Sequence, residues 1–151
     1  MKKKYAGYIN LGELNGIIYP SSVQNMIMKD YVENNLNGIF YLSPTEILQS
    51  KHPLTLLTLI GKETSVAGIV MLSSFLLPNN KKMRDKIYKK LLKSEKKLIF
   101  ILDELQLNSK RDINNVEELL LFNQKFFTQT KKKLNKYELN FVSEFKKISF
   151  V

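Results

Sequence analysis

Apolar segments with two different periods alternate along the first 127 residues of the chain. Short apolar runs typical of strands lie at 5–11, 38–43, 66–74 and 96–102. Segments with helical spacing of apolar residues lie at 21–35, 54–62, 81–94 and 113–127. Strands that alternate with helices form parallel sheets through right-handed crossovers. The pattern therefore predicts a three-layer α/β fold with a parallel sheet of four or more strands in the order 2-1-3-4.

The third predicted strand indicates where a site would lie. Its sequence, VAGIVML, is apolar without alternation, as in strands that are buried on both faces in the middle of a parallel sheet. Ligands of open α/β sheets bind at the carboxyl ends of such strands. Ser73 and Ser74 follow this strand, where many α/β proteins have a phosphate-binding glycine loop. We therefore expect a site at the carboxyl edge of the sheet.

Polar residues after the four predicted strands are the candidates for this site. Carboxylates can serve as acid or base there, and carboxamides and hydroxyls suit polyhydroxylated ligands. A functional cleft would require side chains from four separate connections to converge. The ligand-binding candidates are Asn10, Asn15, Gln24, Asn25 and Ser74, and the catalytic candidates are Glu46, Ser73 and Asp103.

Several of these residues also fit a purely structural role at helix starts. Ser21 and Gln24 have the spacing of a capping box, and Ser43 with Glu46 repeats that spacing. Asn25 has no capping role. The first helix is expected to bury Val23, Met26, Ile27, Tyr31 and Val32, while Asn80 and Asp112 are expected to cap the third and fourth helices.

Composition narrows the class of protein. With 151 residues, 44% hydrophobic, the chain fits one α/β domain at 1–127 and a Lys-rich amphipathic extension at 128–151. It has no cysteine, and its lone histidine, His52, precedes a proline in a predicted loop. No nucleophile elbow, phosphate loop or zinc-ligand spacing occurs, so we expect neither metal nor cofactor.

The net charge of +10 comes mainly from lysine, with 22 Lys against 2 Arg. Base and phosphate recognition favours the forked guanidinium of Arg. We therefore interpret the charge as a solvated surface and expect no specific nucleic-acid partner. No apolar run reaches transmembrane length and the first residues lack a signal-peptide pattern, so a cytoplasmic protein is expected.

The apolar residues of the last helix and extension exceed what one helix can bury against a sheet, because four consecutive apolar residues point around its whole circumference. This excess predicts a homodimer or a folded-back extension. The residues are Leu119, Leu120, Leu121, Phe122, Phe126, Phe127, Phe141 and Phe145.

The order of elements resembles the catalytic domain of serine recombinases over residues 4–127. Tyr8-Ile9-Asn10-Leu11, the helix opening Gln24-Asn25 and the step into LSSFLLP carry the resemblance, and the predicted strand order is that of flavodoxin-like and resolvase-like folds. Those enzymes carry Tyr-x-Arg-x-Ser on strand one, where this chain has Tyr8, Asn10 and Gly12. Their Asp-Arg-x-x-Arg motif is replaced by residues 73–77. The resemblance thus implies the fold without the nucleophile or the arginines.

A second pattern is similar to the sporadic carbohydrate cluster protein family, over about residues 5–120. Its most specific parts are VQN followed by Asp30-Tyr31, and Ser73-x-Phe75-x-Leu77-Pro78. The resemblance implies a role in the synthesis of bacterial surface polysaccharide, O-antigen or capsule. Three functions remain open: binding or modifying a sugar, nucleotide-sugar or lipid-linked sugar; non-catalytic regulation of a glycosyltransferase or sugar-modifying enzyme; and DNA binding as a recombinase relic.

Overall fold

A five-stranded, mostly parallel sheet is the centre of the fold. The computed structural model describes residues 1–14, 16–42, 54–62 and 65–126. The chain divides into two compact units, Met1–Val116 and Glu117–Val151, and the sheet belongs to the first. The strands are β1 Lys4–Gly7, β2 Ile39–Tyr41, β3 Gly68–Met71, β4 Lys97–Phe100 and β5 Leu105–Leu107, and the helices are α1 Ser21–Asp30, α2 Leu54–Lys62, α3 Lys81–Ser94 and α4 at 110–126.

The strand order is β2-β1-β3-β4-β5, which confirms the predicted order of the first four strands. These four pair in parallel, whereas β5 pairs antiparallel with β4. The fifth strand was not predicted. It has three residues and returns through a tight turn at 101–104, where Glu104 has a positive φ of 53°.

The central strand β3 is buried along its whole length between β1 and β4. Its register places Val70 beside Gly7, so these two residues lie on the same face of the sheet. A Cβ on Gly7 would meet the ring of Phe40 and the methyl group of Met28, which places this face against α1. Helices α2 and α3 pack against each other, and right-handed crossovers place them on the opposite face. The predicted three layers are thereby confirmed.

Helix α1 begins at Ser21, one of its two expected starts, Ser21 and Ser22, but its capping box and one face were predicted wrongly. Pro20 occupies the N-cap and no side chain caps the helix. Met26 is 65% exposed, whereas Gln24 and Met28 are buried. The physical reason is that Gln24 forms hydrogen bonds to backbone carbonyl oxygens inside the fold. The helix therefore turns Gln24 inward and leaves Met26 on the solvent side. A π-helical segment, Tyr31–Asn35, continues the helix.

Helix α3 has the predicted bounds and the predicted cap. The Asn80 side chain accepts a hydrogen bond from Lys82 N at 2.9 Å. Ile87, Tyr88 and Leu91 are buried on one side of the helix. Beyond its end, Lys96 is buried and its Nζ donates to the carbonyl oxygens of Leu59 and Ile60, which anchors α2 to the start of β4.

The fourth helix begins three residues earlier than predicted, because Ser109 and not Asp112 occupies the cap position. Asp112 Oδ2 accepts hydrogen bonds from Asn108 N at 3.1 Å, Ser109 N at 3.0 Å and Ser109 Oγ at 2.7 Å. Asp112 N donates to Ser109 Oγ at 3.3 Å, which completes a capping box. The Ser109 hydroxyl and the neighbouring backbone amides lower the pKa of Asp112 from its usual 3.8.

This capping box predicts an acid-dependent loss of stability. A lowered folded pKa means that the stabilisation by Asp112 is present above the unfolded pKa and is lost as pH falls through the folded pKa. Replacing Asp112→Asn should lower the free energy of unfolding by about 0.5–1 kcal/mol at neutral pH. The difference in the free energy of unfolding between this variant and wild type should disappear below about pH 4. Thermal melts across this range, with Glu118→Gln as a charge-matched control on α4, check the prediction; a gap independent of pH would contradict it.

None of the helices among the described residues is long and apolar enough to cross a membrane.

Candidate functional site

The carboxyl edge of the sheet collects most of the predicted site residues that the structure describes. Strands β1, β3 and β4 run parallel and end at this edge, so the segments that follow them lie side by side. Asn10 comes three residues after β1, Ser73 two residues after β3, and Asp103 three residues after β4. The predicted candidates Asn15 and Glu46, together with His52, lie outside the described residues.

Asp103 joins the ends of β3 and β4 through two short hydrogen bonds. Ser73 Oγ donates to Asp103 Oδ1 at 2.7 Å, and Ser74 N donates to Asp103 Oδ2 at 2.6 Å. Ser73 Oγ also accepts from Phe75 N at 3.2 Å, which caps a 3₁₀ turn at Ser74–Leu76. The sequence places these groups 30 residues apart, and the sheet brings them into one cluster.

A second cluster joins α1 to the end of β1. Gln24 Nε2 donates to the carbonyl oxygens of Asn10 and Tyr19, both at 2.8 Å. Asn10 Nδ2 donates to the Leu76 carbonyl oxygen at 3.1 Å, and Asn10 Oδ1 accepts from Gly12 N at 2.8 Å. The bond from Asn10 to Gly12 is an Asx turn. The two clusters meet at the 3₁₀ turn, so one polar network connects α1, β1, β3 and β4.

Most of the hydrogen-bonding capacity of this network is already used within the protein. Ser73 is 1% exposed and its hydroxyl proton points to Asp103. Gln24 is equally enclosed, and each of its carboxamide atoms faces backbone. A reacting group must reach its substrate to transfer a proton or attack. Ser73 and Gln24 are therefore enclosed in this arrangement. Asp103 joins the ends of β3 and β4 but is only half-buried, so it stays a candidate for the predicted site.

Two side-chain oxygens among the described residues are buried without a hydrogen-bond partner, Asn25 Oδ1 and Ser74 Oγ. Asn25 lies in the second turn of α1, beside Gln24, and is half-buried as a residue. Ser74 immediately follows Ser73 after β3 and is completely buried. Helix α1 packs against β1 and β3. Buried polar atoms are nearly always satisfied by protein, water or a ligand, so these two oxygens retain unused binding capacity.

Sequence reasoning missed the backbone groups that complete the network. The carbonyl oxygens of Tyr19 and Leu76 carry no residue-type signal, because every residue has the same carbonyl group. Among the residues described here, no three histidine or acidic side chains are grouped as a metal ion would require.

Comparisons with known proteins support the fold. No family model matches the chain, and no curated protein matches its sequence. Among solved structures, the N-terminal catalytic domain of TP901-1 integrase superposes with a TM-score of 0.57 at 13% sequence identity. The match covers 85% of this chain and 99% of that domain. At this identity the likeness concerns the fold alone, and the chain has the fold of a serine-recombinase catalytic domain.

Proposed function

We propose that this protein is a binding module for a sugar or nucleotide-sugar in bacterial surface-carbohydrate synthesis, and that the ligand lies at the carboxyl edge of the sheet. The observation that carries the proposal is the pair of unpartnered oxygens on Asn25 and Ser74, next to a network whose other groups are occupied. The similarity of VQN and Ser73-x-Phe75-x-Leu77-Pro78 to the carbohydrate cluster family supports the choice of ligand.

The chemistry of this pair suits hydroxylated ligands. The Asn25 carboxamide and the Ser74 hydroxyl are uncharged and can each donate and accept hydrogen bonds. Sugar hydroxyls do the same, so a ligand hydroxyl can satisfy either oxygen without bringing a charge into a buried place. The Asn25 residue is half-buried, but its Oδ1 is enclosed and Ser74 is completely buried. A ligand therefore reaches the two oxygens only when neighbouring side chains move aside.

DNA strand exchange is not part of the proposal. Asn10 and Gly12 stand where the recombinase motif has arginine and serine, and they are bonded to each other in the Asx turn. A nucleophilic hydroxyl and a guanidinium group are therefore missing from the two positions that would attack and hold a phosphate.

Ligand binding predicts a thermal shift that depends on Asn25 and Ser74. A nucleotide-sugar at 100 times its Kd adds about 2.7 kcal/mol, which raises the Tm of a domain of this size by about 5–10 °C. The probes are UDP-glucose, UDP-N-acetylglucosamine and GDP-mannose. Asn25→Ala and Ser74→Ala should abolish the shift while leaving the ligand-free Tm unchanged or higher, because each removes an unpartnered buried oxygen.

Asn114→Ala is the matched control, since it makes the same change at an exposed position of α4. It should retain the full shift. If no nucleotide-sugar or free sugar raises the Tm, or if both site variants keep the shift, the binding proposal is wrong. Lower ligand-free Tm values for both variants would indicate a structural role instead.

A second candidate is a non-catalytic regulatory partner of a glycosyltransferase or sugar-modifying enzyme, and the predicted homodimer would use the same kind of apolar surface. The exposed apolar residues Leu121, Phe122 and Phe126 on α4 favour it, and the rings of Phe122 and Phe126 are stacked with centroids 6.3 Å apart. This function predicts no ligand-induced shift. For the homodimer, light scattering of the full chain should give a mass of two copies; a mass of one copy would argue against it.

A further inference from the structure

We propose that the outer face of α3 binds the surface of an anionic lipid bilayer. Helix α3, Lys81–Ser94, contains seven basic residues and one acidic residue, a net charge of +6 in 14 positions. The whole chain has a net charge of +10, so this helix carries an unusual concentration of charge.

Four lysines of α3 form one straight row, which we call the lysine row: Lys82, Lys86, Lys89 and Lys93. Their spacings of four, three and four residues keep them within a narrow arc of the helix, over about 16 Å of its length. The row lies opposite the buried residues Ile87, Tyr88 and Leu91, and all four lysines are exposed.

The charge of the lysine row is not neutralised within the part of the chain that the structure describes. The ion pair on α3 joins Lys81 to Asp85 at 2.9 Å, beside the row. Glu95 lies beyond the helix end. Like charges three and four residues apart destabilise a helix. Repulsion among the four lysines therefore destabilises α3, and an anionic partner would relieve this repulsion.

The residue types in the row favour a membrane surface over nucleic acid. The helix has one arginine, Arg84, and its guanidinium donates to the carbonyl oxygens of Pro78 and Asn79, away from the row. The row contains no aromatic residue on which a base could stack and no amide side chain to read a base edge. Lysines on one straight line reach a flat anionic surface together, and each acts as a point charge.

The test is co-sedimentation of the full-length chain with vesicles of phosphatidylcholine alone and of phosphatidylcholine mixed with phosphatidylglycerol. Wild type should bind the mixed vesicles, and sodium chloride should weaken this binding. The variant Lys82→Gln/Lys86→Gln/Lys89→Gln/Lys93→Gln should bind them about several hundredfold more weakly, because each of the four lysines near an anionic surface contributes about fivefold. The double variant Lys86→Gln/Lys89→Gln should show an intermediate loss.

The matched control is Lys2→Gln/Lys3→Gln/Lys29→Gln/Lys110→Gln, which removes the same charge from exposed positions outside the row. It should bind better than the row variant. Glutamine keeps the helix propensity of α3, and circular dichroism should show equal folding of both variants. Equal binding by the two variants, or no preference of wild type for phosphatidylglycerol, would overturn the proposal. If the row variant loses more affinity for a DNA duplex than for vesicles, the proposal is also overturned, and the lysine row is assigned to nucleic-acid binding.

Discussion

Replacing Asp103→Ala should lower the free energy of unfolding by about 2–4 kcal/mol, because it leaves two buried donors unsatisfied. These donors are the Ser73 hydroxyl and the Ser74 amide, which bond to the carboxylate at 2.7 and 2.6 Å. Asp103→Asn should cost less, since its remaining oxygen can accept from the Ser74 amide while its new amino group donates to Ser73 Oγ. Urea denaturation followed by circular dichroism measures the change.

Glu104→Gln is the control for this prediction. It removes a negative charge one residue further along, at an exposed position. The expected order of destabilisation is Glu104→Gln, then Asp103→Asn, then Asp103→Ala. A fully stable Asp103→Ala protein would show that the carboxylate is not needed to join β3 and β4, and it would favour a role of Asp103 in ligand or substrate chemistry.

Replacing Gly68→Ala should destabilise the protein by about 1–3 kcal/mol, because the added methyl group overpacks the centre of the sheet. A Cβ at this position would lie 2.8 Å from the backbone oxygen of Lys97 and 3.4 Å from the Tyr5 ring. A backbone oxygen in a paired strand cannot move aside without disturbing the ladder between β3 and β4. The same denaturation experiment measures this change.

Gly61→Ala provides the contrast, since both changes add one methyl group to a glycine. At Gly61 the neighbouring atoms belong to the flexible end of the Lys90 side chain, which can turn away. Alanine also has a helix propensity about 1 kcal/mol more favourable than that of glycine. Gly61→Ala should therefore be neutral or stabilising, and equal losses from both variants would contradict the packing argument.

Local signals explain which elements could be predicted from the sequence. The bounds of α2 and α3 follow from apolar spacing and, for α3, from the Asn80 cap, and both were predicted to the residue. Strand β5 has no such signal, because three residues become a strand only by pairing with β4. The face of α1 was predicted wrongly at Met26 for a related reason: the partners that draw Gln24 inward include the carbonyl of Asn10, 14 residues earlier.

The position of the site could be predicted from the sequence, but its atomic detail could not. Parallel strand ends must share an edge, so the meeting of Ser73 with Asp103 follows from the topology. What the sequence does not contain is which atoms remain without a partner. Asn25 stands out in the sequence because it has no capping role. No residue pattern distinguishes the Ser74 hydroxyl, which has no partner, from the Ser73 hydroxyl, which donates to Asp103.

The central claim is that the unpartnered oxygens at the carboxyl edge bind a hydroxylated ligand, and its most direct test is a ¹H–¹⁵N correlation spectrum of the full chain titrated with UDP-N-acetylglucosamine. The claim predicts saturable shifts of the Asn25 side-chain amide and of the backbone amides at 73–76, and Asn114 should not move. Shifts confined to other parts of the chain, or no shifts with this or the other nucleotide-sugars, would contradict it.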